Sequence, residues 1–169
     1  MRPHPRSLPR LVADGLAQAY PTAVLNVITS AVGGETSDQG AQRFRAQVLG
    51  HSPRVATIDY GLNDRALNIE KSRANLLNMI REARRANACA ILLTPSLDLQ
   101  GDPPSFKSTL IEQVDMIRPL VKTEKVPLAD SYAAFRAYKG SPQDLMAQPN
   151  HPGAKGHKII AEQILKLLK

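Results

Sequence analysis

A single cysteine in 169 residues excludes an internal disulfide framework and any cysteine-rich zinc site. Tryptophan is absent, and only three phenylalanines and four tyrosines occur. Surfaces that read single-stranded nucleic acid interleave basic residues with stacking aromatics, and no stretch here has that composition. No apolar run approaches the roughly 18–20 residues needed to cross a bilayer, so no membrane span is expected. The leading residues Met1-Arg2-Pro3-His4-Pro5-Arg6 are basic but lack the apolar stretch of a secretory signal. The compartment stays open: cytoplasmic by default, secreted if a preceding segment carried a signal. Internal repeats and low-complexity linkers are also missing.

What is present is ordinary globular composition. Hydrophobic residues make up 43% and charged residues 22%, which excludes a disordered or collagen-like chain. The length suits one domain spanning residues 1–169. The net charge is +7, but the basic residues are scattered. Their densest group, Arg81, Arg84 and Arg85, falls late in a helical segment, where cations complement the helix dipole. The excess reads as a solvated basic surface, and no nucleic-acid partner is expected. Cys89, inside an apolar run, reads as a buried small hydrophobe.

Apolar runs alternate with helical patterns along the chain. Leu8, Leu11, Val12, Leu16 and Tyr20 recur at helical spacing, with Ser7 as cap, Pro9 in the first turn and Pro21 closing the helix. The β-rich run Thr22–Thr29 reads as a strand. After Gly33-Gly34, Ser37 or Asp38 caps a helix to about Leu49. Arg54–Tyr60 reads as the next strand. Ser72 opens a helix with Leu76, Leu77, Met79, Ile80 and Ala83 on one face. Cys89–Thr94 is a strand, and Leu110–Val121 is a helix that Pro119 should kink or divide. Val126–Asp130 is a short strand, and a last helix carries Ile159, Ile160, Ile164, Leu167 and Leu168. This alternation implies βαβ units and an α/β fold with a parallel sheet. Ligands in such folds bind beyond the carboxyl ends of the strands, so residues just after strands carry the most information.

Two groups stand there, and a third enters the last helix. Gly61-Leu62-Asn63-Asp64 follows the strand 54–60. Its glycine allows a sharp turn, and the Asn63 amide can donate to a developing oxyanion; capping of the next segment by Asn63 or Asp64 is the plainer use. Val32-Gly33-Gly34-Glu35-Thr36-Ser37 follows the run 22–29, and a glycine before a helix start can present its N–H to an anion. Asn150-His151-Pro152-Gly153-Ala154-Lys155-Gly156-His157 enters the last helix. A histidine before proline sits in extended backbone, so the His151 ring can project as a general base near neutral pH.

Together, in this order and spacing, the three groups resemble the SGNH (GDSL-type) hydrolase superfamily over essentially the whole chain. The resemblance implies a three-layer, flavodoxin-like α/β fold and cleavage of esters, thioesters or acetyl groups through an acyl-enzyme. It implies Gly34 as the oxyanion N–H donor, Asn63 as the oxyanion side chain and His151 as the base. Gly61 and Asp64 would complete the substrate-facing motif. No metal or organic cofactor is implied, and the partner would be a small ester or acylated molecule.

Two family features are missing. The acid that orients the histidine normally stands three residues before it, where this chain has Gln148; Asp144 or a backbone carbonyl could substitute. The greater gap is the nucleophile. No Gly-Asp-Ser occurs anywhere in the sequence, and spacing places it just before Met1, together with the first, central strand. Ala129-Asp130-Ser131 imitates the motif, which makes Ser131 a subsidiary nucleophile candidate; Ser7, Ser30 and Ser37 read as cap and turn residues. About four strands are then expected. Without the central strand, run 22–29 could pair directly with strand 54–60, or two unpaired edges could remain and invite self-association. A reading frame that starts at an internal methionine is the preferred explanation.

Overall fold

The computed structural model describes residues 7–168. In chain order the elements are α1 (Leu8–Ala19), α2 (Ser37–Gln47), β1 (Val55–Ile58), α3 (Ile69–Arg85), β2 (Cys89–Leu93), α4 (Leu110–Glu124), β3 (Leu128–Ala129), α5 (Ser131–Arg136), β4 (Met146–Gln148), β5 (His151–Pro152) and α6 (Ala154–Leu168). The architecture is α/β, with a three-stranded sheet of order β1-β2-β3 and a separate antiparallel pair, β4-β5. The chain divides into two compact units. One holds residues 30–95 and 101–128; the other holds residues 1–29, 96–100 and 129–169.

The first unit is built on the parallel pair β1 and β2, in register from Val55 opposite Cys89 to Ile58 opposite Leu92. Four successive residues of β2, Ala90 to Leu93, are buried. A strand buried on both faces needs apolar residues at consecutive positions, which Ala-Ile-Leu-Leu supplies. Helix α3 buries Ser72, Asn75, Leu76, Met79, Ile80 and Ala83, a stripe with the spacing of one helical face. It starts at Ile69 rather than Ser72, because Asn68 caps it by accepting from Lys71 N. In α4, Thr109 and Glu112 form a reciprocal capping box, and the helix runs to Glu124 through Pro119 without dividing. Phe44, Ile58, Leu76, Met79, Ile80, Leu92, Ile117 and Leu120 meet in the core of this unit.

In the second unit α1 packs along α6. Their ends are tied by Tyr20 Oη, which donates to Leu168 O at 2.7 Å. Helix α6 buries Gly156, Ile160, Ala161 and Ile164; Leu167 is exposed. The short hairpin β4-β5, which sequence patterning did not suggest, pairs Met146 with Pro152 and Gln148 with His151. It is closed by Gly153 N donating to Leu145 O at 2.8 Å.

The expected strand over 22–29 does not form, so the sheet has three strands rather than four. Residues 22–29 are irregular and exposed, with Val24 95% accessible. Strand propensity is realised only through cross-strand neighbours and burial, and the described residues offer this run no ladder. Cys89 is a second correction: it opens β2 at an uncovered end and is exposed, not buried.

Packing separates the two apolar segments energetically. Leu92→Ala, at 1% exposure, should lower unfolding free energy by about 2–5 kcal/mol through lost contacts and a residual cavity. Val24→Ser should change it by no more than roughly 0.5 kcal/mol. Urea unfolding at low protein concentration checks both.

Candidate active site

The turn after β1 is anchored by a carboxylate. Asp64 is fully buried, and Ser37 N at the start of α2 donates to its Oδ1 at 2.6 Å. Its Oδ2 lies 2.5 Å from Ser72 Oγ of α3, and its backbone carbonyl accepts from Gln113 Nε2 of α4 at 3.0 Å. One residue therefore joins three helices. Ser72 also lies 3.0 Å from Gln113 Oε1, so its single hydroxyl proton faces two acceptors. Burial raises the Asp64 pKa, against the lowering effect of the bonds from Ser37 and Ser72. Asp64 is thus a turn anchor with no open face for a substrate. Gly61 is buried as well, and an added Cβ would stand 2.7 Å from Pro95 Cδ. Both residues shape the turn that the resemblance assigned to substrate contact.

The turn presents Asn63, the first residue of a short 3-10 helix. Its Nδ2 donates to Glu35 O at 3.0 Å; an amide nitrogen carries two protons, so one remains to be offered elsewhere. Glu35 directly follows Gly34, whose φ is +75° and whose Cβ position is open space. Only glycine takes that backbone readily. The Asn63 side chain is therefore tied to the residue that follows Gly34.

Glu35 is itself held fast. Arg43 of α2 donates from Nε to Oε1 at 2.6 Å and from Nη2 to Oε2 at 2.5 Å, the bidentate geometry of a strong charge-assisted pair. Tyr60 Oη donates to Oε2 at 3.1 Å. Arg43 holds the Glu35 carboxyl below the usual range, while burial and the Glu35 charge push Tyr60 up to about 12. Neither Glu35 nor Arg43 was singled out from sequence. The available signal was Arg43 beside Phe44 on a helix whose buried face includes Gly40 and Phe44.

A second arginine also went unread. Arg65 is 2% exposed. It donates from Nε to Leu62 O and from Nη1 to Asp102 Oδ1, both at 3.0 Å, and lies over the Phe106 ring at 4.9 Å. Asp102 also accepts from Leu110 N. This fastens the segment 101–110 to the Asn63 turn and caps α4 in the same step.

The remaining candidates lie in the other unit. His151 is exposed on β5, its backbone paired with Gln148. Asp144 accepts from Tyr138 Oη at 3.4 Å; no hydrogen bond joins it to His151 among the described residues. Ser131 is 1% exposed, with its Oγ lacking a partner, so an ester in solution cannot reach it. Among the described residues no group of three or more His, Cys, Asp or Glu could hold a metal ion, and no helix is long and apolar enough to cross a membrane.

Arg43→Met should cost roughly 2 kcal/mol of stability at neutral pH, because the Glu35 carboxylate loses its charge partner. A carboxyl whose pKa is lowered on folding stabilises above the ordinary range and loses that contribution as pH falls through its folded value. The gap between wild type and Arg43→Met should therefore narrow below about pH 4. Urea unfolding across pH 3–7 measures it.

Comparison with known proteins shows the family. A family model described as GDSL-like Lipase/Acylhydrolase family matches residues 3–159. The uncharacterized lipoprotein YqeF of Bacillus subtilis is 26% identical, over 83% of this chain and 72% of its own length. Thioesterase 1/protease 1/lysophospholipase L1 of Escherichia coli is 26% identical, over 85% of this chain and 67% of its own. The crystal structure of Axe2, an acetylxylan esterase from Geobacillus stearothermophilus, superposes with a TM-score of 0.82 at 20% identity, covering 95% of this chain and 80% of that one. With a match across most of its length and the Gly34 and Asn63 turns formed, the chain belongs to the GDSL-like lipase/acylhydrolase family.

Proposed function

We propose that this chain carries the oxyanion hole and the general base of a carboxylic ester hydrolase acting through a serine acyl-enzyme. The observation that carries the reading is the tie between the two turns: the Glu35 carbonyl holds the Asn63 amide at 3.0 Å, and the same residue follows Gly34 at φ +75°. In the reaction, His151 takes the proton of a serine hydroxyl as its oxygen attacks the ester carbonyl. The Gly34 N–H and the second Asn63 amide proton stabilise the tetrahedral oxyanion. Histidine returns the proton to the departing alcohol, and water then releases the acid by the same steps in reverse order. The serine belongs to a Gly-Asp-Ser segment outside residues 1–169, since the sequence contains none and Ser131 is buried. Gln148 cannot supply the charge that a carboxylate gives an imidazolium, so a moderate rate loss is expected relative to a full triad.

That missing tripeptide favours a second reading, a non-catalytic hydrolase fold that binds an acylated ligand or a partner chain. Kinetics separates the two. Residues 1–169 alone should hydrolyse p-nitrophenyl acetate only weakly. A form extended at its N-terminus by the upstream coding sequence, carrying a strand and Gly-Asp-Ser, should turn it over, and Asn63→Ala should then lower kcat by about 10²–10³-fold. An inactive extended form would leave the binding module. Vigorous turnover by 1–169, lost in His151→Ala, would instead require a nucleophile within the chain.

A further inference from the structure

The fold of the first unit brings three helix ends to one edge of its sheet. Strands β1 and β2 run parallel, and Cys89 N donates to Arg54 O at 2.9 Å, so both strands start side by side. Helix α2 leads towards β1, α3 into β2 and α4 into β3. The ends of α2 and α3 share a cavity of about 470 Å³, lined by Arg45, Leu49, Gly50, Glu82, Arg85 and Ala86. The ends of α3 and α4 are joined by Arg84, whose Nη2 donates to Glu124 O at 2.6 Å. The amino edge of the sheet and the three helix ends therefore make one continuous face.

Cations that the sequence spreads over residues 45–125 meet on this face. Arg45 and Arg54 precede β1, Arg81, Arg84 and Arg85 precede β2, and Lys122 and Lys125 precede β3; all seven are exposed. Residues 44–54, 81–88 and 121–127 hold these seven cations and two carboxylates, Glu82 and Glu124, a net of +5 in a chain of net +7. The carboxylates lie beneath. The Glu124 side chain, 13% exposed, is taken by Arg84 at 3.2 Å and by Arg81 at 3.7 Å, and Glu82 Oε2 is shielded from solvent. The side chains of Arg45, Arg54 and Arg85 enter no ion pair among the described residues. Solvent therefore meets guanidinium and ammonium groups with little carboxylate between them, a single-sign field over one face. The leading residues carry Arg2 and Arg6 and no acid, so they cannot neutralise it.

We propose that this face docks onto a membrane surface of anionic lipid. Charge complementarity selects the partner, because each Lys or Arg held near such a surface adds to a diffuse attraction that needs no fixed contact. Two features favour lipid over nucleic acid. Single strands are bound on aromatic platforms, and the three segments contain one aromatic, Phe44, which is buried. Duplex backbones are gripped at close range, often by helix N-termini. The helix ends here are C-termini, whose carbonyls repel a phosphate held against them. Cations at the tips of long side chains reach past those carbonyls, and such an array suits a surface of many negative charges. None of the exposed large apolar residues falls in these three segments, so attachment is electrostatic and reversible, without insertion. The Asn63 turn lies beyond the other end of β1, and docking leaves it open.

Co-sedimentation with lipid vesicles tests this. Residues 1–169 and the N-terminally extended form should both bind vesicles rich in phosphatidylglycerol at low salt and ignore vesicles of pure phosphatidylcholine. Binding should vanish at about 1 M NaCl, where charges are screened beyond roughly 3 Å. Arg45→Gln combined with Arg85→Gln should weaken it by about tenfold. Far-UV circular dichroism and the thermal midpoint should not change, since neither side chain holds an ion pair. Lys158→Gln combined with Lys166→Gln removes the same charge from α6, in the other unit, and should weaken binding by less than about twofold. Equal losses in the two double variants would overturn the proposal, because net charge alone would then act. So would binding to pure phosphatidylcholine, loss of binding in the extended form, or displacement from the vesicles by duplex DNA at equal phosphate concentration.

Discussion

The buried carboxyl group of Asp64 is the constraint on which the rest of the first unit turns. Ser37 N from α2, Ser72 Oγ from α3 and Gln113 Nε2 from α4 all converge on this residue. A polar group taken out of water destabilises the fold unless its partners are complete, so each helix start is held to a narrow set of positions. Because Asn63 immediately precedes Asp64, the same constraint fixes where the Asn63 amide stands. Packing around β1 and β2 buries the apolar core of this unit; the Asp64 set holds the helix starts around it.

From this anchor the order extends outward through paired charges. The Glu35–Arg43 fork holds the peptide between Gly34 and the start of α2, and the Glu35 carbonyl in turn orients the Asn63 side chain. Arg65 and Asp102 fasten the 101–110 segment against the other side of the turn. Oxyanion donors are effective when they are aimed before the reaction begins and need no reorganisation during it. The proposed donors, Gly34 and Asn63, stand on turns held by contacts that belong to folding, so on the proposed function substitutions well away from any substrate should register in catalysis. His151 stands on a hairpin of its own in the second unit, set by the pairing of Gln148 with His151 and by the Gly153–Leu145 bond.

Much of this was legible before any coordinates. The alternation of apolar runs with helical stripes identified α1 to α4, α6 and the strands β1 and β2, because buried faces impose their periodicity on the sequence directly. The turns carrying Gly34 and Asn63 were legible as well, since positive φ and a strand-end turn demand particular residues. Position in space was not. Asp64 was weighed as a cap and as a substrate-facing residue, and its burial could not be read from the sequence. Arg43 and Arg65 read as solvated cations because nothing local announces a partner 8 or 37 residues away. The run 22–29 has the composition of a strand, yet a strand exists only where a neighbour accepts its hydrogen bonds. The β4-β5 hairpin escaped notice because strands of three and two residues, with Pro149 between them and Pro152 inside the second, carry too short a pattern.

The central claim is that the Asp64 set acts on catalysis by holding Asn63, and a double-mutant cycle tests it most directly. Ser72→Ala and Asn63→Ala would be compared singly and together in the serine-bearing form, with kcat for p-nitrophenyl acetate as the readout at a temperature where all four proteins are folded. The account predicts that Ser72→Ala lowers kcat when Asn63 is present and has little further effect once Asn63 is gone. Losses that simply multiply in the double variant would contradict it, because Ser72 and Asp64 would then support the fold without positioning the amide.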